Sequence, residues 1–136
     1  MKIQASAEDY LESILVLTQK NDKVRSVDIA QHMGFSKPTI SIIMKQFREN
    51  GYITIAPDRT ISLTEKGAGI ATRTYERHML FARFLISIGV SEEVAYADAC
   101  KIEHGMSEES FERFKTFCEH YAGLDTIGKS GQSENL

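Results

Sequence analysis

The 136-residue chain is 42% hydrophobic and 26% charged, a composition that suits a globular protein of one compact domain or two small ones sharing a core. No apolar run approaches the ~20 residues needed to span a bilayer, and the opening "MKIQASAEDY" lacks the apolar centre of a signal peptide, so a cytoplasmic protein without membrane attachment is expected. The net charge of −3 hides a split: residues 1–64 carry eight Lys/Arg against seven Asp/Glu, a net of +1, and residues 65–136 carry eight against twelve, a net of −4. The first part can meet phosphate and the second cannot without help. Two cysteines are too few for a disulfide framework, and a reducing compartment leaves them as thiols.

In chain order, residues 6–20, "SAEDYLESILVLTQK", predict a helix with Ser6 as its cap and an apolar face on Tyr10, Leu11, Ile14, Leu15 and Leu17. A short helix follows over 26–33, "SVDIAQHM", capped by Ser26 and stopped by Gly34. After the tight turn "GFS", residues 37–50 predict a second helix with Pro38 in its first turn and Gly51 as its stop. Ile40, Ile43, Met44 and Phe47 face inward there, leaving Lys37, Thr39, Ser41, Lys45 and Arg48 outside. Residues 52–64 place two β-rich runs around the turn "APDR", a hairpin. Helix, helix–turn–helix and hairpin in that order form the winged-helix layout.

A long helix is expected from Glu65 to about Ser87, with Leu80, Phe81, Phe84, Leu85 and Ile88 as its late apolar stripe and Gly89 as its stop. Ser91 and Ser107 each open a further helix with acids in the first turn, the last carrying Phe111, Phe114, Phe117, Cys118 and Tyr121 on one side. The Gly/Ser-rich tail 126–136 is expected to be disordered. The fold class is therefore mainly α. An N-terminal winged helix–turn–helix domain (1–64) precedes a helical domain (65–125) too small for a large independent core, which a homodimer would complete.

A winged helix serves either DNA or protein contacts, and the basic second helix favours DNA. Its N-terminal residues would lie nearest the bases of a major groove: Ser36, Lys37, Pro38, Thr39 and Ser41, with Lys45 and Arg48 supplying charge and Arg59 reaching the backbone from the wing. In "DACKIEHGMS", Cys100, Glu103 and His104 stand at i, i+3 and i+4, so a helix projects thiolate, carboxylate and imidazole from one face. Those are metal-ligand types; singly, each also reads as a core thiol, a solvated acid and a surface histidine. Asp9 and Glu12 at i, i+3 suit a helix dipole as well as a metal, and His78 on the long helix suits a half-buried packing role. Cys118 and His120 sit close in sequence, but Cys118 lies on the Phe stripe and reads as core. Nothing pairs a nucleophile with a base or forms a phosphate-binding Gly loop, so no enzyme and no small organic substrate are expected.

Taken together, "AEDYLESI", "SVDIAQHM", "SKPTISIIMKQFRENGYI", "DRTISLTEKG", "ERHMLFARFL" and "DACKIEHGMSEE" resemble the metal-dependent repressors of the diphtheria toxin repressor (DtxR/MntR) family, over roughly residues 6–121. The likeness is to the short two-domain form, without the SH3-like third domain of larger relatives. It implies a dimeric, metal-activated repressor of metal-uptake genes on a palindromic double-stranded operator. By position it implies Asp9, Glu12, His78, Cys100, Glu103 and His104 as metal ligands. The set is a hybrid. Asp9 and Glu12 resemble the manganese-sensing branch, which has a carboxylate where Cys100 stands, and Cys100 resembles the iron-sensing branch, which has a methionine at Asp9. An acidic residue that serves a second metal in some iron-sensing members is Ala82 here. The thiolate favours Fe²⁺ with Mn²⁺ second, while Zn²⁺ or Co²⁺ would substitute in vitro. The alternative is a winged-helix regulator that senses oxidants through Cys100 without metal.

Overall fold

The computed structural model describes residues 5–122, with side chains over 7–120. The expected disordered tail and the Tyr121 side chain lie outside the described residues, and Ser6 lies within α1, which already includes Ala5, instead of capping it. The chain divides into two compact units, Met1–Thr74 and Tyr75–Leu136, and the division falls within one helix, α4 (Glu65–Ser87).

The first unit runs α1 (Ala5–Lys20), α2 (Ser26–Met33), α3 (Lys37–Glu49), β1 (Ile53–Ile55), β2 (Ile61–Leu63) and the first turns of α4. Ser36 caps α3 by accepting from the Thr39 backbone N–H, with Pro38 in the first turn where a missing donor costs nothing. Asn50 ends the helix and Gly51, at φ +82°, turns the chain into β1, a conformation that glycine adopts without strain. The strands pair antiparallel with Ile53 opposite Leu63 and Ile55 opposite Ile61. Leu11, Ile14, Ile29, Ile40, Met44, Phe47 and Ile53 form the core, and Phe47 meets Tyr10 and Tyr52 edge-on at 6.3 and 6.2 Å. Gly67 lies so close to the Tyr52 carbonyl that no side chain fits there.

The second unit holds the rest of α4, α5 (Glu92–His104), α6 (Glu108–Phe117) and a π-helical turn over Cys118–Ala122. Its core is small: Leu80, Phe81, Ala82, Ala99, Phe111 and Cys118, with Phe81 stacked on Phe114 at 4.6 Å.

Three further local expectations change. Ser26 is the first residue of α2 and Arg25 is its cap, because Asp28 reaches back to accept from the Arg25 backbone N–H at 2.9 Å. Ile88 leaves the α4 stripe: the helix ends at Ser87, Gly89 takes φ +104°, and Ile88 is 63% exposed. Phe117 is 48% exposed, because at 3.6 residues per turn it falls about 120° around α6 from the buried Phe111, whereas Cys118 falls within about 20° of it and is buried.

Candidate metal centre and nucleic-acid interface

The last turn of α5 carries the candidate metal centre of the second unit. Helical spacing alone aligns Cys100, Glu103 and His104, and their ligand atoms lie within 4.8 Å of one another. Glu103 is 2% exposed, which is rare for a carboxylate that is not compensated, and its Oε1 sits 3.4 Å from His104 Nε2. His78, from α4, also brings a ring nitrogen within 4.8 Å of a Glu103 oxygen. A thiolate, a buried carboxylate and two imidazoles are a donor set that fits a divalent transition metal.

The supporting layer is as specific as the ligands. His78 Nε2 is 3.1 Å from the Tyr96 carbonyl and its ring stands edge-on to the Tyr96 ring. A histidine fixed in this way keeps its ring orientation without a metal. Arg77 donates to the carbonyls of Glu103 (3.2 Å) and Met106 (3.0 Å), pairs with Glu108 at 3.3 Å and lies over the Phe111 ring. It thereby satisfies carbonyls at the end of α5 that the helix itself leaves open. No local pattern announces this role, since an arginine beside a histidine on a long helix looks solvent-bound.

The other two expected ligands, Asp9 and Glu12, belong to the first unit, one turn apart on α1. Asp9 is half-buried and Glu12 is buried. Cys118 is fully buried; desolvation, then the charge of Glu119, pushes its thiol up to about 11, so it is a neutral core residue. His120 is exposed beside it.

In the first unit all eight expected DNA-facing residues, Ser36, Lys37, Pro38, Thr39, Ser41, Lys45, Arg48 and Arg59, are exposed. A groove of about 320 Å³ runs between α2, α3 and the wing, lined by Arg25, Ser26, Val27, Lys37, Ser41 and Arg59. It adjoins a second hollow of about 190 Å³ that adds Lys45 and Arg48. Two residues in this region escape a reading for charge. Ile42 is 62% exposed on α3, and the helical period does place it opposite Ile40 and Met44. Arg25, from the segment before α2, lines the groove with no motif to announce it.

A winged helix with a basic groove, followed by a helical unit with a metal-ligand cluster, defines a metal-responsive DNA-binding regulator. Residues 2–61 match the family model for the iron dependent repressor N-terminal DNA binding domain, and residues 64–123 match its metal binding and dimerisation domain. The chain belongs to this family, the DtxR/MntR metal-dependent transcriptional repressors, whose cofactor is a divalent transition metal. It is 36% identical over 114 residues to the transcriptional regulator MntR of Escherichia coli O6:H1, covering 84% of this chain and 74% of that one. It is 32% identical over 128 residues to the HTH-type transcriptional regulator MntR of Bacillus subtilis strain 168, covering 94% and 90%. A manganese-dependent transcriptional repressor solved in complex with manganese matches with a TM-score of 0.72 at 26% identity, over 80% of this chain and 50% of that one. The chain spans about half the length of this structure and of the similar manganese regulator SloR and metal-dependent transcriptional regulator MtsR.

Proposed function

We propose that the protein is a homodimeric repressor that binds a palindromic DNA operator when loaded with a divalent metal and so controls metal-uptake genes. The convergence of Cys100, Glu103 and His104, with Glu103 buried, is the observation that carries this reading. Asp9 and Glu12 of α1 complete the ligand set with His78, as the family likeness implies by position. The bound cation supplies positive charge to donors that are anionic without it. Uncompensated, the carboxylates of Asp9, Glu12 and Glu103 repel one another when brought together. Compensated, they hold α1, α4 and α5 as one constellation, so the DNA-binding unit keeps a fixed place on the dimer. Two copies of α3 fit one face of DNA only when separated by about 34–36 Å or a multiple of it. A tenfold gain in operator affinity needs only ~1.4 kcal/mol of differential binding between the two arrangements.

Lys37, Thr39 and Ser41 reach base edges and phosphates from the start of α3, with Ser36 and Pro38 fixing that turn; Lys45, Arg48 and Arg59 neutralise the backbone. For the metal, the Cys100 thiolate favours Fe²⁺, and the likeness to a manganese-dependent repressor favours Mn²⁺. Ligand softness puts Fe²⁺ first and Mn²⁺ second.

The test is an anaerobic titration of a family-type palindrome with Fe²⁺, Mn²⁺, Zn²⁺ or chelator, run beside Glu103→Ala. The wild type should bind tighter with Fe²⁺ or Mn²⁺. Glu103→Ala should lose the metal response while circular dichroism and sedimentation stay unchanged. An unchanged metal response in Glu103→Ala would refute the site. Wild-type DNA binding indifferent to every metal would leave oxidation of Cys100 as the better reading.

A further inference from the structure

The wing tip carries an acid where a DNA-facing surface would be expected to avoid one. Asp58 follows Pro57 in the turn that joins β1 to β2, where the Arg59 N–H donates to the Ala56 carbonyl at 2.8 Å. Its Oδ1 accepts from the Thr60 backbone N–H at 3.0 Å, which closes the turn around Arg59 and holds that residue at φ +73°. Its Oδ2 lies 3.0 Å from Lys23 Nζ and 3.8 Å from the Arg25 guanidinium. Its carbonyl accepts from Arg25 Nε at 3.0 Å. One backbone bond runs alongside, from the Ile61 N–H to the Val24 carbonyl at 2.7 Å, so the segment 23–25 is clipped to the wing at two levels. Thr60, through its hydroxyl and then its N–H, followed by Lys23, holds the Asp58 carboxyl well below the usual carboxylate range. The acid is thus charged throughout the working pH range.

We infer that Asp58 is a positioning residue for DNA binding and that Arg25, which it holds, is a phosphate-binding residue of the groove. Arg25 and Arg59 flank the same cavity, with Lys37 and Ser41 on its other wall. Asp58 fixes both arginines: Arg59 through the backbone of the turn, Arg25 through a carbonyl and a carboxylate on two different nitrogens. A guanidinium hydrogen-bonded through Nε, with the carboxylate 3.8 Å from one Nη as an ion pair, keeps its Nη N–H groups for a phosphate oxygen. The negative charge of Asp58 therefore serves anion binding by orientation, against the sign of its own Coulomb contribution. This inference rests on the DNA-binding reading above and adds a residue and a sign to it.

Phosphate contacts are independent of sequence, so the test needs no operator. The metal-loaded protein is titrated with a fluorescent 30-base-pair duplex of random sequence at several salt concentrations, as wild type, Asp58→Ala, Asp58→Asn, Arg25→Ala and the Asp58→Ala/Arg25→Ala double variant. Asp58→Ala should weaken binding about three- to tenfold at low salt and reduce the slope of log K against log salt by about 1. Arg25→Ala should do the same, and the double variant should lose less than the product of the two single losses, the part beyond Arg25→Ala being that of Arg59, which Asp58 holds through the turn. Asp58→Asn keeps an acceptor for Thr60 and should recover most of the loss. A role in stability alone would lower the melting temperature and leave the salt slope untouched. Asp58→Ala binding as well as or better than wild type, or an unchanged slope, overturns the inference. A wild type that does not bind the duplex at all is a separate result, and it sinks the DNA-binding reading and this inference with it.

Discussion

The two units solve the burial problem differently. The first closes a core of its own around Leu11, Ile14, Ile29, Ile40, Met44 and Phe47, most of them wholly shielded from water. Among the described residues the second encloses only two alanines, a cysteine, one leucine and two phenylalanines, while both units leave large apolar side chains in water: Val27, Phe35 and Ile42 in the first, Ile88, Val94, Ile102 and Phe117 in the second. Apolar area in water is stability forgone, at about 25 cal/mol per Å². The contrast therefore lies in core size: the DNA-reading unit has a core large enough to stand by itself, and the smaller core of the second unit leads us to expect that association completes it.

The largest effect that tests this contrast is in the first core. Phe47 is fully buried between two tyrosine rings, and Phe47→Ala should cost about 3–5 kcal/mol, the range for aromatic truncation in a closed core. Denaturant melts should show that cost at any protein concentration. A concentration-dependent loss would mean that the first unit also leans on assembly.

A smaller effect, of a different kind, is expected in the second unit. Ile88→Ser with Ile102→Ser should weaken self-association by about tenfold or more, each isoleucine losing up to about 1.5–3 kcal/mol of burial. The melting of the separated subunits should change by no more than about 0.5 kcal/mol, as for ordinary surface sites. Sedimentation equilibrium reads the first and denaturant melts at low concentration read the second. Unchanged association would place the partner surface elsewhere on the unit.

The same contrast governs what the sequence made legible. The helices, the hairpin and the α3 cap follow from local rules: period 3.6, Ser36 before Lys-Pro-Thr, Gly51 as a stop, a Pro-Asp turn. The ligand cluster on α5 was readable for the same reason, since i, i+3, i+4 spacing is local geometry. What escaped was tertiary or depended on exact helical phase. Arg77 reaches the end of α5 across 26 positions of sequence to the Glu103 carbonyl. Arg25 meets the wing 33 positions away. Phe117 points outward because six residues of helix carry it about a third of a turn away from Phe111, an offset that a stripe read as one side overlooks. Only the family likeness, and no local spacing, implies that Asp9 and Glu12 join candidate ligands some 90 residues distant.

The finest division lies within the second unit, between its two cysteines. Cys118 has no exposed surface, and its thiol is pushed up to about 11 by burial, so it stays protonated in the native state while the unfolded chain ionises near 9.0. Its contribution to stability is complete below pH 9 and is lost as the pH rises through about 11, because the unfolded state then gains the thiolate first. Cys100 is half-buried on the ligand face of α5. Iodoacetamide at neutral pH should modify one thiol of the metal-free native protein and both after denaturation, with mass spectrometry of the digest assigning the native reaction to Cys100. Adding Fe²⁺ or Mn²⁺ anaerobically should suppress that single modification, since a ligating thiolate is not free to attack. Protection of Cys100 by metal, with Cys118 silent throughout, would separate the two roles by chemistry alone. Rapid native modification of Cys118 would show that the small core opens on its own and depends on its partner more than its buried side chains suggest.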